Sequence, residues 1–126
     1  MREVMKKILI VDDDPMIHFA LTEVLRDLCD EVKSVETGEG AVSEMGRSFY
    51  TLCFLDINLP DLNGIDLMKQ MVEMSPDTKI IMMSGSRLDD ALKREIYSRA
   101  EYFLPKPFDL FLVKAIVNQV LKVEKT

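Results

Sequence analysis

Strand-like and helix-like segments alternate along this chain with only short breaks between them, five of each. That order constrains the fold more than any other feature, because repeated βα units build a parallel sheet covered by helices on both faces. The strands read at about 7–12, 31–36, 51–56, 78–83 and 101–105. The first, third and fourth are nearly all apolar, as strands buried on both faces are. The second is polar and reads as an edge.

The helices follow from three-and-four spacing and from their end signals. Ile17, Ala20, Leu21, Val24, Leu25 and Leu28 form one continuous apolar stripe. Asp14 reads as the N-cap of that helix, with Pro15 at the first helical position, where a missing N–H costs nothing. A short, weakly patterned helix is expected near 39–47. A third near 64–74 carries Leu67, Met68, Met71 and Val72 and stops at Ser75-Pro76. A fourth spans about 88–98. The last, about 109–122, turns Val113, Ile116, Val117, Val120 and Leu121 inward behind Asp109 as its cap.

At 126 residues the chain is expected to be one domain spanning 1–126, with a structured core over about 7–122. No apolar run approaches the roughly 18 residues of a membrane span. Met1 to Lys7 is basic, but only four apolar residues separate it from three aspartates, so no signal-peptide core exists and the chain reads as cytoplasmic. A net charge of −6 argues against direct binding of nucleic acid or an anionic membrane. Cys29 and Cys53, without a CxxC and with one histidine in the chain, support neither a disulfide nor a zinc site.

What falls at the strand ends carries the chemistry. Asp12, Asp13 and Asp14 follow Ile8 to Val11, Asp56 closes Leu52 to Leu55, Ser84 closes Ile80 to Met83, and Lys106-Pro107 follows Tyr102 to Leu104. In an open parallel sheet these carboxyl ends share one edge, so the groups converge on one pocket. Two carboxylates about 4 Å apart repel by roughly 1 kcal/mol in water and about 4 kcal/mol at an effective dielectric near 20. Asp12, Asp13 and Asp56 therefore need a counter-cation beyond Lys106. A hard divalent ion that accepts oxygen ligands and a phosphoryl oxygen answers that need; Mg²⁺ does so characteristically.

Each group also has an ordinary reading. Asp56 alone could be a solvated loop-start acid, although a carboxylate can also accept a phosphoryl group. A cis Lys106-Pro107 bond, inexpensive before proline, could aim Lys106 into the pocket. Ser84 could be a plain strand-end hydroxyl before Gly85, which leaves room for an oxygen to approach the backbone. His18, between Ile17 and Phe19 on the polar side of its helix, is expected at the surface. The methionines at 68, 71, 74, 82 and 83 read as packing.

Taken in order, ILIVDDDP, LDINLPDLNGIDL, IIMMSGS and FLPKPF resemble the CheY-like response-regulator receiver domain of two-component signalling, over essentially the whole chain. The resemblance implies a flavodoxin-like (βα)5 three-layer sandwich, a parallel five-stranded sheet of order 2-1-3-4-5 between helices. It implies Asp56 as phospho-acceptor and Asp12 and Asp13 as the acid pair. Asp13 would be the direct ligand of Mg²⁺, or of Mn²⁺ in its place, and Asn58 would add its backbone carbonyl. Ser84 and Lys106 would each hold a phosphoryl oxygen. The phosphoryl donor would be a sensor histidine kinase or a histidine phosphotransfer protein. Ser84 and Phe103 would act as switch residues, changing the face of the fourth helix, fifth strand and fifth helix, which a downstream target or an attached effector reads.

Three departures from the family pattern stand out. Ser84 replaces the commoner threonine, and Phe103 lacks the hydroxyl of the frequent tyrosine. Arg99 stands before Ala100 where glycine is usual, so a positive φ there would be strained, or the loop runs differently. Two other functions share features with this pattern. Haloacid-dehalogenase-type phosphohydrolases use a similar nucleophile but need an acid two residues later, where this chain has Asn58. A receiver-like module that binds partners without phosphorylation would not need the complete acid pair, Asp56, Ser84 and Lys106. The expectation is thus a signalling switch that catalyses its own phosphorylation and slow dephosphorylation, not a conventional enzyme.

Overall fold

The computed structural model describes residues 5–123. Five strands and five helices alternate: β1 Lys7–Val11, α1 Pro15–Leu25, β2 Glu31–Val35, α2 Gly38–Arg47, β3 Leu52–Asp56, α3 Gly64–Met74, β4 Lys79–Ser84, α4 Asp90–Tyr97, β5 Tyr102–Pro105 and α5 Leu110–Val123. The named strands pair in parallel throughout, in the order β2-β1-β3-β4-β5. The parallel sheet follows the alternation of elements, and its strand order is that of the flavodoxin-like sandwich that the resemblance implies. Polar β2 lies at one edge.

Strand alternation divides the core into two layers. Leu9, Val11, Cys53, Leu55, Ile80 and Met82 pack on one side against Ala41 and Met45 of α2, Leu67, Met68 and Met71 of α3, and Ile96 of α4. Ile8, Ile10, Leu52, Phe54, Ile81 and Met83 pack on the other against Leu21 and Leu25 of α1 and the α5 stripe from Val113 to Leu121. Methionines 68, 71, 82 and 83 are buried packing residues, whereas Met74 is 40% exposed.

Side-chain caps set the helix starts. Asp14 accepts from Met16 N–H, Thr37 from Gly40, Asn63 from Ile65 and Asp66, Asp89 from Leu92, and Asp109 from Phe111. Helix α1 stops at Leu25, short of Leu28, which packs as a half-buried turn residue. The loop before β5 runs without strain. No described non-glycine residue has positive φ, and Ser98, Arg99 and Ala100 donate to carbonyls of the last α4 turns. Arg99 therefore needs no glycine-like conformation.

Candidate functional site

The parallel register brings the strand ends to one edge. Val11 pairs with Leu55, and Asp56 with Met83, one residue before Ser84, which faces Pro105. Asp12 is fully buried, Asp56 is 4% exposed, and Asp13 is exposed. One oxygen from each of these three carboxylates lies within 4.8 Å of the others. The predicted acid cluster is assembled.

Lys106 reaches into it from the end of β5. Its Nζ lies 2.7 Å from Asp12 Oδ2 and 3.5 Å from Asp56 Oδ2. Its backbone N–H is bonded to the Ser84 carbonyl at 2.8 Å, and the Lys106–Pro107 peptide is cis. The other Asp12 oxygen accepts from Asp14 N–H at 2.8 Å, and Asp56 Oδ1 accepts from Asn58 N–H at 3.3 Å.

The electrostatics are those of a site short of positive charge. Burial foremost, then the neighbouring Asp12 carboxylate, push the Asp56 carboxyl above its ordinary range, against the opposing pull of Lys106 and the Asn58 N–H. Burial works against the Lys106 ammonium, yet the carboxylates of Asp12 and Asp56 prevail and raise its pKa. One ammonium against three carboxylates leaves the cluster negative. Its all-oxygen ligands, one of them exposed on Asp13, fit a hard divalent cation. An open cleft of about 360 Å³ adjoins it, lined by Asp13 and the β3–α3 loop from Ile57 to Asn63.

Ser84 and Phe103 are placed differently from the acids. The Ser84 hydroxyl is buried and faces Ser86, accepting from its N–H at 2.9 Å. Phe103 is half-buried against the α2–α3–α4 layer, in which Leu88 also packs. Asn58 is exposed, and its Nδ2 donates to Ser86 Oγ at 3.1 Å. Sequence reasoning passed over Ser86, which ties the Asp56 loop to the Ser84 loop; a second hydroxyl beside Gly85 was the available signal. Gly85 is not sterically required, since an added Cβ would come no closer than 3.9 Å to Lys106 Cβ.

His18 corrects the sequence reading. It is half-buried rather than free at the surface, and its Nε2 is hydrogen-bonded to the Asp12 carbonyl. The first turn of α1 faces the end of β1, so the polar side of the stripe is not solvent there.

The family model for the response regulator receiver domain matches residues 8–118. The transcriptional regulator NtrC of Azospirillum brasilense is 35% identical over 115 residues, covering 90% of this chain and 24% of NtrC. The chemotaxis protein CheY of Thermotoga maritima is 30% identical over 118 residues, covering 93% of this chain and 98% of CheY. Among solved structures, the BeF3-activated DrrB receiver domain superposes with a TM-score of 0.85 at 28% identity, covering 94% of this chain and 99% of that one. The chain belongs to the response regulator receiver domain family of two-component signalling, a class of phosphorylation-activated switches and not of metabolic enzymes. Its acidic pocket fits the phospho-acceptor site of that class. It spans nearly all of CheY but about a quarter of NtrC. Among the described residues, no helix is long and apolar enough to cross a membrane.

Proposed function

We propose that the chain accepts a phosphoryl group on Asp56 from a phosphohistidine of a sensor kinase or histidine phosphotransfer protein. One observation carries the reading: a buried carboxylate at a strand end, beside two further carboxylates, with a lysine ammonium 3.5 Å from its Oδ2. An Asp56 oxygen attacks phosphorus, the P–N bond to the donor imidazole breaks, and the imidazole leaves with its electron pair and takes up a proton. Lys106 neutralises charge on the transferring group, and Ser84 donates a hydrogen bond to it once its hydroxyl turns from Ser86. Asp13, Asp56 and the Asn58 carbonyl hold a Mg²⁺, with Asp12 beside them. The ion supplies positive charge to the phosphoryl oxygens when bound.

The chain acts as one receiver module over 1–126, catalyses its own phosphorylation from small donors, and loses the group slowly. Its output runs through the face of α4, β5 and α5 to a protein target or an attached effector. Asn58, two residues after Asp56, gives no general acid for a phosphohydrolase.

The test is an intact-mass time course with acetyl phosphate, with and without Mg²⁺. One Mg²⁺-dependent phosphoryl adduct is expected on the wild type and none on Asp56→Asn. An adduct that persists in Asp56→Asn would move the acceptor elsewhere. Absence of both an adduct and phosphate released from acetyl phosphate on the wild type would favour a module that binds without phosphorylation.

A further inference from the structure

We infer that His18 is a positioning residue for the cation site, setting the direction of the two acid side chains at the end of β1. The inference rests on the proposed reading of Asp12, Asp13 and Asp56 as a cation and phosphoryl site. Its observation is separate: His18, on the first turns of α1, bonds through Nε2 to the backbone carbonyl of Asp12. A carbonyl only accepts, so Nε2 carries the hydrogen.

That carbonyl belongs to the peptide plane joining Asp12 to Asp13, and a peptide plane turns as one rigid unit. Whatever fixes the carbonyl fixes the Asp13 N–H on the other side of the plane. It thereby fixes the setting of both α-carbons from which the carboxylates project. The rest of Asp12 is already held: its N–H donates to the Val35 carbonyl at 3.1 Å, Oδ1 accepts from Asp14 N–H, and Oδ2 from Lys106. Asp13, the exposed acid of the cluster, has less to hold it. Its direction depends on the plane that His18 grips.

The other ring nitrogen argues against simple packing. His18 Nδ1 is buried with no hydrogen-bond partner. An unsatisfied buried polar atom is a cost that leucine, of similar bulk, would avoid. The compensating gain lies at Nε2, on the Asp12 carbonyl. Outer-shell groups of this kind orient metal ligands without touching the metal.

Three variants separate donor from bulk. His18→Gln keeps an N–H at comparable reach, His18→Asn is too short to make the bond, and His18→Leu keeps the volume without a donor. Mn²⁺ alone is titrated into each, with the free-ion electron paramagnetic resonance signal as readout. Acetyl phosphate labelling and metal-free thermal unfolding are followed in parallel. The Asn and Leu variants should bind Mn²⁺ about tenfold more weakly than wild type, and the Gln variant within about twofold of it. Wild-type affinity in Asn or Leu, or a Gln variant as weak as Leu, would overturn the assignment. If Leu does not fold, the Asn and Gln variants decide between the same outcomes. Wild type that binds Mn²⁺ with this order of variants but takes no phosphoryl group would sink the Asp56 reading and leave His18 standing. Wild type that is phosphorylated while all variants bind Mn²⁺ alike would do the reverse. Wild type that binds no Mn²⁺ would remove both the cation site and the role of His18.

Discussion

Glu44 shows how one residue can tie a weakly patterned helix to the sheet. It is nearly buried on α2, its Oε1 accepts from the Tyr50 hydroxyl at 2.7 Å, and Arg47 pairs with its other oxygen. The Tyr50 hydrogen bond, foremost, and Arg47 hold the Glu44 carboxyl below its ordinary 4.5, against the effect of burial. Burial and the Glu44 hydrogen bond push Tyr50 well up. A carboxyl with a lowered folded pKa contributes stability that is present above its unfolded pKa and lost as pH falls through the folded one. Glu44→Gln keeps an acceptor for Tyr50 but removes the charge. Thermal unfolding at pH 7 should show it less stable by about 1 kcal/mol, and the gap should narrow as pH falls below 4.5 and through the lowered folded pKa. A gap of equal size at pH 3 would show that the charge contributes nothing. Glu44, like His18, was hidden in the sequence because periodicity reports which face a helix turns to its sheet. It does not report what lies beyond the helix ends, and a lone glutamate reads as solvent-facing by default. Asp14, Pro15 and Asp109 were legible because capping depends on immediate neighbours alone.

At the scale of elements, the start of α3 sets the end of β3. Gly64 is buried and donates to the Ile57 carbonyl at 2.8 Å. A Cβ there would lie 2.4 Å from Ile57 Cα and 2.5 Å from the Asp56 carbonyl oxygen, both backbone atoms. Room for it requires moving the strand end that carries Asp56. Gly64→Ala should lose about 2–3 kcal/mol and label more slowly with acetyl phosphate. Gly46, on the same class of element, has nothing within 4 Å of an added Cβ. Gly46→Ala should therefore gain about 0.5–1 kcal/mol by relieving backbone entropy. Denaturant unfolding of the pair tests the contrast, and equal effects would refute the close approach at Gly64. The expected bounds of α3, 64–74, coincide with Gly64–Met74, since a loop with Asn63 precedes it and Ser75-Pro76 follows. The expected difficulty at Arg99 does not arise. Its turn is closed by backbone bonds to α4 rather than by a left-handed residue, and sequence does not report which closure a loop adopts.

Across the whole molecule, the groups proposed to hold the phosphoryl oxygens already have partners: Ser84 Oγ has Ser86 N–H at 2.9 Å, and Lys106 Nζ has Asp12 at 2.7 Å. A phosphoryl group on Asp56 must therefore win them from existing bonds, and only the difference in energy moves the switch. Carrying an equilibrium from 1:99 to 99:1 takes about 5.5 kcal/mol, while a hydrogen bond to a charged group contributes about 1.5–3 kcal/mol. Two such contacts approach the requirement and one does not. Lys106 also joins the site to β5, where Phe103 packs against the α4 side of the core. Lys106→Ala, kept in Mg²⁺ so that the remaining carboxylates are neutralised, should still take one phosphoryl group from acetyl phosphate. Hydrogen exchange over 84–106 should then change with phosphorylation in wild type and by less than about half as much in the variant. A variant whose exchange pattern shifts as far as wild type on phosphorylation would show that β5 responds without Lys106, leaving Ser84 and its loop to carry the switch.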